Sequence, residues 1–361
     1  MVSDDSSSHG LAALGLPADG ATSPGDRQGR DQDRGRVPAK RNLRSKLSPS
    51  DLIFRAIARG GGSVALIIMI LVGTFLAFRA AQALHKAGWS FLTTAAWNPN
   101  GGSFGIAALM IGTCLIALVA IVTAIPLSIG AALYISEYAP RPIQRPLISA
   151  IDLMAAVPSI VYGLWGFILL QWKVGPLARW LSDWFGWFPL FHVSGVKRDD
   201  PLPSAAAFTS SSFAAGLVVA LMITPIITSV MREAFSQAPL GEREGAYALG
   251  ATRWGMIRVV VLPFGKGAMI GGTMLGLGRA LGETMAVTLI LSFVPAIQLH
   301  ILQQGSSSIS SLIALNWSES TPFGISALMA AGLALFAMTL LVNLIAAQIV
   351  ARSRSGAQSE A

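Results

Sequence analysis

The chain has 361 residues, 53% of them hydrophobic and only 12% charged, with a formal net charge of +8. Soluble domains carry about 25% charged residues, so this chain lacks the polar surface to cover a water-exposed globule. Ten of its 26 Lys and Arg precede residue 60 and most others lie in short loops between apolar runs, which fits membrane topology rather than nucleic-acid binding.

Little resident chemistry is readable. Cys114 is the single cysteine and sits in an apolar run, so no disulfide framework or cysteine metal site is available within the chain. His9, His85, His192 and His300 are scattered, with no HxxxH or HExxH pair, and no metal site is expected. There is no GxxxxGK[ST] phosphate loop, no Ser-His-Asp grouping and no paired carboxylates. The expectation is a non-enzyme with no cofactor of its own.

In chain order, residues 1–50 are rich in Ser, Gly, Asp, Arg and Pro and read as a disordered tail, basic near 41–46. Crossing a ~30 Å hydrocarbon core takes about 20 apolar residues. Six segments qualify: about 62–83, 104–125, 147–170, 211–231, 267–292 and 323–350, with a short tail at 353–361. Ala81-Gln82-Ala83 resembles a signal-peptidase site, but the stretch before the apolar run is too long for a secretory signal, so the first segment is read as a retained span. Residues 126–135 are apolar but short; they either continue the second helix beyond Pro126 or form a helix at the membrane boundary. Asp152 is expected in an interfacial or capping role near one end of the third span. Pro158 and Pro225 interrupt helix hydrogen bonding in the third and fourth spans, as hinges or as static kinks.

Placing both termini in the cytoplasm puts 19 Lys and Arg inside and 6 outside, with Arg279 left within a span. The positive-inside bias therefore predicts cytoplasmic termini. Trp172, Trp180, Trp184 and Trp187 in the outer loop 171–210 suit an interfacial aromatic belt.

The loop 232–266 carries the most specific pattern. Glu244 to Leu249 predicts a short helix with acidic residues at its start, where carboxylates favour the positive end of the helix dipole. Gly250 ends it, and an amphipathic stretch follows, with Trp254, Ile257 and Val261 apolar and Arg253 and Arg258 polar. Pro263 is expected to mark the turn back into the membrane. This segment resembles the EAA loop of ABC importer permeases, EAA-x3-G-x9-I-x-L-P. Glu244, Ala246, Gly250, Leu262 and Pro263 match, while Gly245 and Val260 replace an Ala-type residue and an Ile. The resemblance implies a coupling helix that docks on an ATPase subunit.

The fifth span contains Arg279 and Glu283, four residues apart and hence on one face of a continuous helix. Gly278 and Gly282 beside them are expected to let another helix approach closely. A charge in mid-membrane costs about 2.5–3.5 kcal/mol even on insertion scales. Two readings are open: a structural ion pair that fixes packing, or an Arg279 that offers its planar fork to an oxyanion while Glu283 holds and partly neutralises it.

Residues 277–288, Leu-Gly-Arg-Ala-Leu-Gly-Glu-Thr-Met-Ala-Val-Thr, and Val157-Pro158-Ser159-Ile160-Val161-Tyr162-Gly163 resemble the PstC-type permease of phosphate ABC importers, from about residue 50 to 350. The resemblance implies an all-α polytopic membrane protein with six transmembrane helices of the type I ABC importer architecture. It also implies a PstA-type sister permease, a dimeric ATP-binding cassette ATPase that uses ATP and Mg, and an extracytoplasmic phosphate-binding protein. The expected function is passage of phosphate through a bacterial cytoplasmic membrane. The alternatives are a permease for sulfate or molybdate, or a secondary carrier or channel.

Overall fold

The computed structural model describes residues 49–195 and 205–354. The tails predicted at 1–50 and 353–361 fall almost entirely outside the described residues. Among the described residues, six helices are long and apolar enough to cross a membrane: Ser50–Ala87, Ala107–Tyr138, Ser159–Phe185, Ser212–Ser236, Arg253–Gly282 and Pro322–Ile349. The number agrees with the sequence expectation; several boundaries do not.

Helix α1 (Pro49–Ala87) encloses the predicted first span. Ile67, Ile68, Leu71 and Phe78 are exposed along it, as on a helix made to face hydrocarbon. A short helix α2 (Ser90–Thr93) and the antiparallel pair β1 (Trp97–Asn98) and β2 (Ser103–Phe104) follow, with Trp97 opposite Phe104. The Phe104 ring meets Phe91, Trp97 and Phe323 edge-on, at centroid distances of 6.0, 6.3 and 5.5 Å.

Helix α3 (Ala107–Leu133) runs straight through Pro126 and closes in a π turn at Tyr134–Tyr138. Residues 126–135 therefore continue the second span. Small residues make this possible: Ala117, Ala120, Ala124, Ser128 and Ala132 are buried along α3, and α7 packs along it. Ser128 Oγ also donates to the Thr224 carbonyl at 3.1 Å.

The third span is displaced from the predicted 147–170. Helix α4 (Arg141–Ala156) stops at Val157 and Pro158, both extended, and helix α5 (Ser159–Trp165) starts afresh. Proline disfavours helix in the residue before it and donates no N–H, which is enough to separate the two. The spanning helix then passes through a π turn, Gly166–Leu170, into α6 (Gln171–Phe185). Trp172, Trp180 and Trp184 thus belong to the end of a helix rather than to a loop. Asp152 lies exposed on α4, before the spanning helix begins.

Helix α7 (Ser212–Ser236) is capped by Ser211, whose hydroxyl accepts from Ala214 N at 3.3 Å, and contains Pro225 without a break. After α8 (Leu240–Ala248) and α9 (Arg253–Met256), a π turn at Ile257–Val261 leads directly into α10 (Leu262–Gly282). No turn occurs at Pro263. The wider register, with Leu262 N donating to the Ile257 carbonyl, absorbs the donor that Pro263 lacks. The fifth span therefore begins at Arg253 and ends at Gly282, ten residues short of the predicted 292.

Helices α11 (Met285–Ile290) and α12 (Ile309–Asn316) flank a largely non-helical segment, and α13 (Pro322–Arg354) is the last described helix. The main core lies where α3, α7 and α10 meet, around Ile116, Val219, Ile223, Ile227, Phe235 and Val261. Close approach of α10 to α7 uses Gly265 and Gly276, where a Cβ would run into Phe235 and Ile227. The predicted pair Gly278 and Gly282 does not serve that purpose: a Cβ at Gly278 would meet only Asn343 at 3.6 Å, and one at Gly282 meets nothing.

Candidate functional site: a cationic cavity and a coupling knob

Helices α7, α10 and α13 border an open cavity of about 670 Å³ lined by Ile226, Gly278, Arg279, Gly282, Thr339 and Asn343, among others. Arg279 lies in the last turn of α10. Its guanidinium makes no ion pair or hydrogen bond among the described residues.

Glu283 does not pair with it. Helix α10 ends at Gly282, and Glu283 is extended at φ −67° and ψ 125°, so the four-residue spacing no longer places the two side chains on one helix face. The carboxylate is instead buried, and its Oε1 accepts from Ala286 N at 3.2 Å, at the start of α11. The Glu283 carbonyl accepts from Ser310 Oγ at 2.7 Å. Of the two readings left open above, the structural ion pair is therefore absent.

Around Glu283 lies a buried hydroxyl network. Ser212 Oγ donates to Ser306 Oγ at 2.6 Å, Thr113 Oγ1 accepts from Ile309 N at 3.1 Å, and Ser308 and Ser311 form a reciprocal cap on α12. Hydroxyls paired this way let a non-helical segment, 305–308, pass through the bundle without orphaned polar groups.

The segment from 240 to 256 forms a helix–glycine–helix knob. Helix α8 carries Glu244 and Ala246 and ends in a left-handed glycine, Gly250 at φ +84°. Gly250 N donates to the Tyr247 carbonyl at 2.9 Å and Ala251 N to the Ala246 carbonyl at 3.0 Å. Thr252 then caps α9 by accepting from Gly255 N at 3.1 Å. Ala246 and Leu262 pack against the main core, whereas Glu244 and Pro263 are exposed. Leu249, at the tip, is 91% exposed, with Leu240, Tyr247 and Trp254 exposed beside it. These apolar groups have no cover among the described residues.

Sequence reasoning did not identify what holds the knob in place. Arg243 Nη1 donates to Glu137 Oε2 at 3.1 Å, and its Nη2 lies 3.1 Å from Oε1 and 2.6 Å from the Phe235 carbonyl. Arg253 Nη2 donates to the Glu137 carbonyl, and its guanidinium lies 4.8 Å from the Tyr138 ring centroid. Two arginines of the knob thus converge on the π turn that ends α3. Nothing local announces the pairing, because Arg243 follows Glu137 by 106 residues. Thr339 and Asn343 were also passed over, although polar residues four apart in an apolar run are a readable signal.

A membrane-spanning helical bundle that presents an uncovered knob and a cationic cavity defines a transport subunit built to work with other chains. Residues 124–355 match the family described as binding-protein-dependent transport system inner membrane component, and the chain belongs to that family. It is a multi-pass protein of the cytoplasmic membrane and a permease subunit of an ABC importer. It is 39% identical over 308 residues to the phosphate transport system permease protein PstC 2 of Mycobacterium tuberculosis, covering 84% of this chain and 93% of that one. It is also 39% identical over 306 residues to the PstC protein of Pasteurella multocida, covering 84% and 92%. Among solved structures it is similar to the inward-facing MetNI methionine ABC transporter, at TM-score 0.46 and 13% identity, covering 69% of this chain and 95% of that one.

Proposed function

We infer that this chain is the transmembrane permease subunit of an ATP-driven importer of inorganic phosphate and forms half of its translocation pathway. The observation that carries this is the Arg279 guanidinium, unpaired among the described residues, in a cavity between spanning helices. Guanidinium is always charged and matches tetrahedral oxyanions with two parallel N–H donors. The PstC names of relatives at 39% identity support phosphate as the anion.

In this reading both termini face the cytoplasm, as the Lys and Arg distribution supports. The knob, with Glu244, Ala246 and Gly250, and with Leu262 and Pro263 where it joins the spanning helix, docks on a dimeric ATPase that binds ATP and Mg. A PstA-type sister permease supplies the other half of the pathway, and an extracytoplasmic phosphate-binding protein delivers the anion. ATPase closure moves the knob and switches the bundle between outward and inward access, with Pro158 and Pro225 as its hinges. Arg279 meets phosphate on the way, and Glu283 follows directly on the end of α10 with its carboxylate turned into the α11 cap.

The test is phosphate uptake by the reconstituted complex with Arg279→Ala and Arg279→Lys. Uptake should be lost in the first and strongly reduced in the second; normal uptake in both refutes the anion path. Vanadate inhibition separates ATP-driven import from a secondary carrier or channel. Competition by sulfate, arsenate and molybdate identifies the anion.

A further inference from the structure

We propose that Asn343, with Thr339 one turn before it on α13, forms the neutral half of the oxyanion site and selects anions that still carry a proton. This rests on the cavity being the anion path proposed above.

Four observations support it. Asn343 and Thr339 line the same cavity as Arg279, across from it on a different helix. Asn343 abuts α10 beside Arg279, since a Cβ on Gly278 would lie 3.6 Å from its Oδ1 and 4.0 Å from its Nδ2. Its carboxamide is exposed to the cavity and makes no hydrogen bond among the described residues, so it is available to a polar ligand. Thr339 Oγ1 donates to the Phe336 carbonyl at 2.9 Å, which commits its proton and leaves the oxygen free to accept.

The site therefore holds one fixed cation, one amide able to donate and accept, and one hydroxyl oxygen set to accept. No carboxylate lines it, because Glu283 is turned into the α11 cap. At neutral pH phosphate and arsenate keep at least one O–H, whereas sulfate and molybdate keep none. Asn343 Oδ1 and Thr339 Oγ1 can take that proton donor. Against a fully ionised anion the Thr339 oxygen would be repelled or left unpaired, and Asn343 could contribute only its Nδ2 donor. Polar groups left without partners in the bound complex discriminate between near-isosteric ligands.

The experiment is ATP-dependent phosphate uptake by the full reconstituted complex, with sulfate and arsenate as competitors. Asn343→Leu should raise the apparent KM for phosphate about tenfold, as loss of one hydrogen bond to a charged ligand does. Sulfate should become a markedly better competitor, with arsenate still tracking phosphate. Thr339→Val should shift the sulfate-to-phosphate ratio in the same direction by a smaller factor. An unchanged KM and unchanged ratio in an assembled Asn343→Leu complex overturns the proposal. Should that variant fail to assemble, Asn343→Ala and Thr339→Val read the same ratio, and no shift in either also overturns it. Loss of uptake in Arg279→Ala together with unaltered selectivity here leaves the anion path standing and removes only this inference.

Discussion

Replacing Glu137 with Ala should loosen the knob without touching any residue proposed to meet ATPase or anion. Its carboxylate and the Arg243 guanidinium share two contacts of 3.1 Å, with side chains 4% and 17% exposed. Deleting one partner of a buried pair costs about 3–5 kcal/mol, because the other charge stays buried and unpaired. The partial exposure of Arg243, and its second bond to the Phe235 carbonyl, place the expected loss near the lower end, about 3 kcal/mol. The Arg253 bond runs to the Glu137 backbone carbonyl, so it survives and the substitution isolates the side-chain pair. The assay is a double-mutant cycle of Glu137→Ala, Arg243→Ala and the double variant. Thermal unfolding of the purified complex would be read beside phosphate transported per ATP hydrolysed. The double variant should be less destabilised than the sum of the singles, with a coupling of about 1–3 kcal/mol. Each single should also lower transport per ATP. Additive losses, or full coupling in variants that unfold earlier, would refute the view that this pair links α8 to α3.

At the exposed tip, Leu249→Asp should leave the stability of the isolated permease within about 0.5 kcal/mol, as surface substitutions do, yet abolish co-purification of the ATPase. Gly276→Ala should lower thermal stability by about 1–3 kcal/mol through overpacking on Ile227. Gly278→Ala, which meets Asn343 only at ordinary contact distance, should be far milder in the same unfolding assay. Gly250→Ala places a side chain at φ +84°, costs about 1–2 kcal/mol locally, and should raise hydrogen exchange across 247–251.

Much of the architecture was legible because length and apolarity alone mark a span, and backbone bonding in hydrocarbon leaves few options but a helix. The glycine that ends α8 was legible for a similarly local reason: few other residues adopt its conformation. The boundaries that failed are those where an apolar run and a helix part company. Residues 147–157 are apolar enough to suggest a span, but Pro158 ends that helix and the crossing starts after it. Residues 283–292 continue the apolar run after the helix has stopped at Gly282. The Arg279–Glu283 pairing fell with that second boundary, since the spacing argument assumed an unbroken helix. The pairings of Glu137 and Ser306 were invisible because their partners lie about 100 residues away in sequence.

The relocation of Glu283 changes what its substitution should do. If Glu283 served to neutralise Arg279, Glu283→Gln would remove that charge and alter uptake as much as Glu283→Ala. In the structure the carboxylate accepts from Ala286 N, and the carbonyl of the same residue is held by Ser310. Glutamine retains an acceptor oxygen of the same reach, so it should keep the α11 cap at a cost of under about 1 kcal/mol, whereas Ala should lose about 1–2 kcal/mol. The fifth span is one rod from Arg253 to Gly282, roughly 45 Å at 1.5 Å per residue, with the knob at one end and Arg279 near the other. A rod displaced at the knob must shift relative to whatever is fixed at its far end. The hydroxyl network anchors Glu283 immediately beyond Gly282, so the relative movement falls at the turn that carries Arg279. Glu283→Gln should therefore transport phosphate at close to the normal rate, while Glu283→Ala unfolds earlier and transports less. A Gln variant that folds with normal stability but loses uptake would return Glu283 to the role of counter-charge.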